Sequence, residues 1–291
     1  MFKKYVVLVS FVALSTLSFA QARKTSVAPS QRPFSAAQYM VQPLRAEAPV
    51  APATVTCAHT YSSGTGETQV TYCVTVNGNI TQLSRAGQEM INQGVVGEGY
   101  GICDFTTGTP YYDYAYEDSG NLLGSSLGFP NAKTAVSTRI SSDGIWQFTN
   151  TITQVASKPT AAGSITVKTT VKNLSGINRN IFFLRYADVD ADLDPSNNDF
   201  DWDINTASGI YSTGSSSFGY GLALVNNTFA PAFPYHAEYT QNTYQAPNPC
   251  SPFANISTQP FHGDGSVMSL FGQNTLGHGK SKIYTVTYQP L

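Results

Sequence analysis

Lysine and arginine are missing from one long stretch of this 291-residue chain: neither occurs between Tyr186 and Gly279. Any carboxylate there must find its counter-charge elsewhere in the fold or in solution. The four histidines, His59, His236, His262 and His278, show neither HxH nor HExxH spacing, which removes the common zinc patterns. No GxSxG or Walker sequence occurs, and no GxGxxG sits between a strand and a helix, so serine-hydrolase, P-loop and dinucleotide chemistries have no support. Helical periodicity is nearly absent, with residues 85–93 the one tolerable candidate. The leading apolar run, residues 5–17, is too short and too interrupted by serine for a stable membrane span. No cysteine follows it, so a lipoprotein anchor is not expected.

What is present begins with Lys3 and Lys4 ahead of that apolar run, and Ser-Phe-Ala or Ala-Gln-Ala sites end it at Ala20 or Ala22. Residues 1–22 are therefore expected to be a signal peptide, and the mature chain to be secreted or periplasmic with no membrane span. Residues 23–53, rich in Ala, Pro, Gln and Ser and poor in large apolar side chains, are expected to form a disordered linker. Residues 54–291 then form a single domain, with ten basic against seventeen acidic residues and a net charge of −7. That charge disfavours nucleic acid as a partner. The four cysteines, Cys57, Cys73, Cys103 and Cys250, suggest two disulfides in an oxidising compartment. A turn centred on Thr65 would set Cys57 opposite Cys73 and leave Cys103 for Cys250. Pairing of Cys57 or Cys73 with Cys103 stays open.

Period-two alternation dominates this domain, as in residues 54–60, 68–76, 134–141, 145–155, 164–172, 219–225, 266–271 and 282–289. Asp143-Gly144 is a strong hairpin signal. Residues 180–189 open with Ile181, Phe182, Phe183 and Leu184, apolar on both faces, and should form a central strand. Residues 230–251 read as a Pro-rich loop. The fold class expected is all-β, a large antiparallel two-sheet β-sandwich. A terminal Gln-Pro-Leu, the cysteines and the doubly apolar strand argue against an outer-membrane barrel.

The distinctive chemistry lies in residues 186–206, YADVDADLDPSNNDFDWDINT. Asp188, Asp190, Asp192 and Asp194 recur every second residue, as do Asp199, Asp201 and Asp203 after Pro195-Ser196-Asn197-Asn198. If that break is a hairpin turn, Asp194 faces Asp199, Asp192 faces Asp201 and Asp190 faces Asp203, with all seven carboxylates on one face. Val189, Ala191 and Leu193 would then face Ile204, Trp202 and Phe200 on the core side. Facing carboxylates repel by about 0.8 kcal/mol per pair in water, and calcium, which prefers six to eight oxygens, is the natural relief. Asp192, Asp194, Asp199 and Asp201, with Asp190 and the carbonyls of residues 196–198, are the expected ligands. Asp188 to Asp199 also resembles an EF-hand loop, but Leu193 stands where glycine belongs and no flanking helices are apparent. A solvated acidic face without a bound ion is the plain alternative.

Rings beside carboxylates suit sugars, and Tyr186, Tyr235 and Tyr239 are the candidate ligand-binding residues, whereas Trp202 belongs to the core by its alternation. Two carboxylates about 5 Å apart could serve a glycosidase. Seven interchangeable ones give no means of separating acid from base, so no catalytic residue is assigned. The segments EGYGICDF (98–105), YYDYA (111–115), SDGIWQFT (142–149), VKNLSG (171–176) and RYADVDAD (185–192) together resemble a group of uncharacterised secreted bacterial β-proteins. The resemblance spans most of the domain from about residue 95. It implies a β-sandwich of the kind seen in sugar-handling enzymes and accessory domains, and carries no activity or site residues with it. The function expected is a non-catalytic binding or surface-associated module with a calcium-stabilised acidic hairpin, its partner a glycan or cell-surface component. The alternatives are a carbohydrate-active enzyme using paired Asp and a self-assembling envelope protein.

Overall fold

The computed structural model describes residues 56–91, 97–115, 119–202, 206–212, 217–228, 234–239, 247–252 and 260–291. The expected signal peptide and linker lie outside these residues, as does Asp203. The chain first builds a four-stranded sheet from β1 (Cys57–Ser63), β2 (Val70–Thr75), β3 (Ile80–Arg85) and β4 (Gln88–Glu89). It then lays β5 (Glu98–Asp104) and β6 (Thr109–Asp113) into a second sheet, and β7 (Ser126–Asn131), β8 (Thr134–Ile140), β9 (Trp146–Val155) and β10 (Ser164–Asn173) into a third. From there it alternates between those two. β11 (Arg179–Val189), β15 (Pro234–Tyr239) and β17 (Gly265–Leu276) join the second. β12 (Asn198–Trp202), β13 (Thr206–Ser212), β14 (Ser217–Asn226), β16 (Phe261–His262) and β18 (Ser281–Pro290) join the third.

The result is a nine-stranded sheet, β16-β12-β13-β14-β18-β10-β9-β8-β7, packed on a five-stranded sheet, β15-β17-β11-β5-β6, with the four-stranded sheet added. Every strand pair is antiparallel. The antiparallel sandwich expected from the alternation is thus the architecture found, with one sheet more than the two expected. Among the described residues the helical segments are two three-residue 3-10 turns, Gly66–Thr68 and Ala191–Leu193. The tolerable helix at 85–93 is not one, because Arg85 ends β3 and Gln88–Glu89 pairs back onto it. The Pro-rich loop expected at 230–251 likewise contains a strand, β15, on the edge of the five-stranded sheet; edges are where proline is tolerated.

Alternation explains the packing. On β9, Trp146, Phe148, Asn150 and Ile152 are buried while Gln147, Thr149, Thr151 and Thr153 are only half-buried. β11 is buried at all but one position, as a strand covered on both faces must be. Its inward residues meet β18 and β9: Phe183 stacks on Tyr284 with centroids 4.3 Å apart, and Tyr100 on β5 tilts against Phe148 at 5.6 Å. Its outward residues, Phe182, Leu184 and Tyr186, build a second cluster with Tyr114, Met268, Leu270, Cys103 and Cys250. Gly99 and Gly101 let this layer close. A Cβ at 99 would fall 1.8 Å from the Asp113 carbonyl oxygen, and one at 101 would fall 2.7 Å from Pro249.

Disulfides join Cys57 to Cys73 and Cys103 to Cys250. The first pair is not directly opposite, as the turn geometry suggested. An irregularity between Cys57 and His59 shifts the register, so that Thr60 faces Cys73 and Cys57 faces Thr75. Two disulfides fit an extracellular or periplasmic location, and no helix among the described residues is long and apolar enough to cross a membrane.

One buried network ties the sheets together. Glu98 on β5 pairs with Arg185 on β11 at 2.5 Å, both fully buried. Its other oxygen accepts the Ile80 amide of β3 at 2.5 Å. Tyr288 on β18 donates to Glu98 and accepts from Arg185 Nε at 2.6 Å. Burial pushes the Glu98 carboxyl up and the Arg185 guanidinium opposes that, while Glu98 and Tyr288 hold Arg185 protonated. Burying two charges is costly unless their remaining valences are filled, and here Ile80 and Tyr288 fill those of Glu98.

Candidate functional site

The acidic hairpin does not form. β11 ends at Val189 with both its edges occupied, by β17 and β5. No edge remains for β12, which pairs with β13 and β16 in the other sheet. Between them the chain turns through Ala191–Leu193, with Asp192 and Leu193 at φ +60° and +58°. Such left-handed backbone is uncommon for residues with a Cβ. The six described carboxylates, Asp188, Asp190, Asp192, Asp194, Asp199 and Asp201, therefore do not share a face. Leu193, expected in the core, is 59% exposed, whereas Val189, Ala191 and Phe200 are buried and Trp202 packs against the core.

The expected ligands disperse accordingly. Asp194 accepts from the Ser196 amide at 2.9 Å and from the Asn197 side chain at 2.7 Å, stabilising its own turn. Asp199 is exposed and pairs with His262 at 2.8 Å; a hydrogen bond from Ser212, with help from His262, holds its carboxyl below the ordinary range. Asp201 is exposed and accepts the Trp202 amide at 2.8 Å. Asp192 sits in the left-handed turn. Asp190 is the one member of the expected set placed in a cluster, and its companions are Asp188 and Asp264.

This cluster lies where the chain passes between the two large sheets. Asp188, next to last in β11, faces Ser266 of β17, and its amide donates to the Gly97 carbonyl at 2.8 Å. Asp190 opens the 3-10 turn, its carbonyl accepting the Leu193 amide at 2.8 Å. Asp264 sits in the tight turn joining β16 of the nine-stranded sheet to β17 of the five-stranded one. Asn198, fully buried at the start of β12, fixes the loops relative to one another. Its side chain accepts from the Ala191 amide at 3.2 Å and donates to the Asp194 carbonyl at 2.7 Å, and its own carbonyl accepts the Gly263 amide at 2.9 Å.

One oxygen from each of Asp188, Asp190 and Asp264 lies within 4.8 Å of the other two. Some point therefore lies within about 2.8 Å of all three, close to the roughly 2.3 to 2.6 Å of calcium–oxygen contacts. Asp188 and Asp190 are 3% and 7% exposed. Burial raises the Asp264 carboxyl above its ordinary range. The Ser266 hydroxyl lies 2.8 Å from Asp188 Oδ1 and 3.1 Å from the Tyr186 hydroxyl. Its single proton can serve either the carboxylate or the tyrosine oxygen, so the hydroxyl links the two.

Tyr186 is thus fully buried against Tyr114, at 5.4 Å between rings, and offers no face to a ligand. Its part is to orient Asp188 through Ser266. Strand register places Tyr239 opposite Ser266 and Tyr235 opposite Leu270 on the edge strand. Asp264 and Ser266 lie outside residues 188–203, to which the period-two pattern drew the sequence reading, and Asn198 entered that reading only through its carbonyl. The signal for Asp264 was the His-Gly-Asp-Gly turn directly before an apolar strand, residues 262–265.

No protein-family model matches the chain, and no curated protein does. Among solved structures, its fold is similar to that of a bacterial glucoamylase complexed with acarbose, at a TM-score of 0.55 and 8% identity over 83% of this chain. The chain spans 33% of the length of that glucoamylase. A galactose mutarotase related enzyme from Lactobacillus acidophilus is similar at a TM-score of 0.44 and 8% identity, over 80% of this chain and 97% of its own. At these identities the glucoamylase likeness bears on the fold alone, a large antiparallel β-sandwich.

Proposed function

We propose that the chain is a secreted, non-catalytic carbohydrate-binding module in which calcium, held by Asp188, Asp190 and Asp264, locks the junction between its two large sheets. The observation that carries the cation is the convergence of three carboxylates within 4.8 Å in a stretch devoid of lysine and arginine. Three mutually repelling charges at a crossover destabilise it unless a proton or a metal ion neutralises them. Calcium suits hard oxygen donors, and the three carboxylates supply from three to six of the six to eight it takes. The carbohydrate partner draws on the likeness to a glucoamylase that binds acarbose.

Thermal melts of the mature domain with calcium, with magnesium and with chelator test the cation. At a free calcium concentration about 100-fold above Kd the gain is about 2.7 kcal/mol, or about 5–10 °C for a domain of this size. Identical melts in all three conditions would remove it. A glycan screen in the stabilising condition tests the partner separately.

A second reading, a carbohydrate-active enzyme, is favoured by one observation: burial keeps the Asp264 carboxyl inclined to hold its proton beside two other carboxyls, the asymmetry an acid–base pair needs. Asp264→Asn discriminates. Loss of turnover at unchanged Tm supports an enzyme; loss of the calcium-dependent rise in Tm supports the module.

A further inference from the structure

The lysines of the domain are as segregated as its aspartates. Of ten basic residues in 54–291, Arg139, Arg179 and Arg185 are buried in ion pairs with Asp113, Asp104 and Glu98. Arg85 lies on β3. The other six, Lys133, Lys158, Lys168, Lys172, Lys280 and Lys282, all fall on the contiguous strands β8, β9, β10 and β18 or in the turns that lead into and between them. Those same segments contain a single carboxylate, Asp143. It is already taken by the Tyr111 and Ser141 hydroxyls and the Ile145 amide.

The outward positions of these strands form a regular grid. Registers across β8, β9, β10 and β18 give the rows Thr134-Thr153-Thr166-Thr287, Val136-Thr151-Lys168-Thr285 and Thr138-Thr149-Thr170-Ile283. Neighbouring threonine hydroxyls meet at 3.3 to 3.5 Å in three places. Each such contact uses one of the two protons present, so a donor and several lone pairs remain for another molecule. Rows are about 6.6 Å apart and strands about 4.8 Å apart. Lys168 and Lys172 stand on this face about 13 Å apart along β10.

We infer that this face of the nine-stranded sheet is the ligand surface of the module, and that its ligand is a linear anionic polysaccharide bearing carboxylate or sulfate groups on an otherwise hydroxylated chain. This rests on the carbohydrate-binding reading and names its substrate class. On β8, β9, β10 and β18 the charges presented are positive apart from the satisfied Asp143, in a domain of net charge −7, while Asp199 and Asp201 lie across the sheet on β12, so the preference for an anion is local to those four strands. Two well-separated ammonium groups among hydroxyls match a polymer of low charge density. Nucleic acid would demand a continuous basic track, and an anionic membrane a denser cluster of four to eight cations.

Affinity electrophoresis and calorimetry with polygalacturonate and with a neutral glucan test the inference. The wild-type protein is expected to bind polygalacturonate, with affinity falling at least about tenfold between about 0.05 and 0.3 M salt, and to bind the neutral polymer far more weakly. Lys168→Glu with Lys172→Glu should abolish the binding. Thr149→Val with Thr151→Val should weaken it several-fold with Tm unchanged or raised, since valine suits a strand. The inference is overturned if wild-type protein ignores the polyanion, or if the charge reversal leaves binding intact. It is also overturned if the reversal alters only self-association in sedimentation, which would assign the face to a second copy. Binding of the neutral glucan alone, unaffected by the lysine variants, would overturn this site and leave the carbohydrate-binding reading standing. No binding to any glycan would sink both.

Discussion

Asp264 is the residue whose titration reports most directly on the junction. Its folded carboxyl is raised by burial. In metal-free protein, the stability it contributes is complete below the unfolded pKa and is lost as pH rises through the raised folded value. On the calcium proposal the ion requires the ionised carboxylate, so the stabilisation it gives would grow over the same range. The difference in Tm between calcium and chelator is expected to increase as pH rises from the ordinary carboxylate range towards neutrality, and a difference independent of pH would count against Asp264 as a ligand. Gly99 makes a different demand. Its missing Cβ leaves room for the Asp113 carbonyl, so Gly99→Ala must push β5 and β6 apart and should cost about 1–3 kcal/mol in urea denaturation. Arg185→Met strips the counter-ion from a fully buried Glu98 and should cost about 3–5 kcal/mol. The doubly apolar run around Phe182 announced a central strand. Nothing in sequence announced that Arg185 within it would find Glu98, since that meeting depends on strand order rather than on pattern.

At the level of elements, the stretch 188–203 marks where sequence legibility failed. Period two predicted two strands, and two strands flank it. Phe200 and Trp202 turn inward on β12 and Asp199 and Asp201 outward, as the alternation required. Pairing was misread because alternation fixes a strand's faces and not its neighbour. Once β17 claims the edge of β11, β12 must change sheets, and the intervening carboxylates go to a turn. The disulfides were legible because spacing and compartment constrained them. Their loops differ, at 147 and 16 residues. The loop-entropy relation gives upper estimates of about 5 kcal/mol for Cys103–Cys250 and about 3 kcal/mol for Cys57–Cys73. Cys103→Ser with Cys250→Ser should therefore lower the urea midpoint more than the Cys57/Cys73 pair does. The reverse order would mean that the layer of Tyr114, Leu184 and Met268 holds without its clamp.

For the molecule as a whole, sequence disclosed the class of fold and the polarity of its faces but not the number of sheets. Residues 54–60 and 68–76 read as a hairpin, and nothing local says that it will belong to a separate layer docked through the Ile80 amide on Glu98. The distribution of charge has a consequence of its own. The lysines lie on or beside β18, β10, β9 and β8 of the nine-stranded sheet, while Asp199 and Asp201 lie on β12 towards its other edge, so charge is polarised across the order of strands. Near a negatively charged wall such polarity would favour arrival with the lysine-bearing strands foremost. A population adsorbed this way would be uniformly oriented, and each member would keep its acidic strand β12 open to the medium.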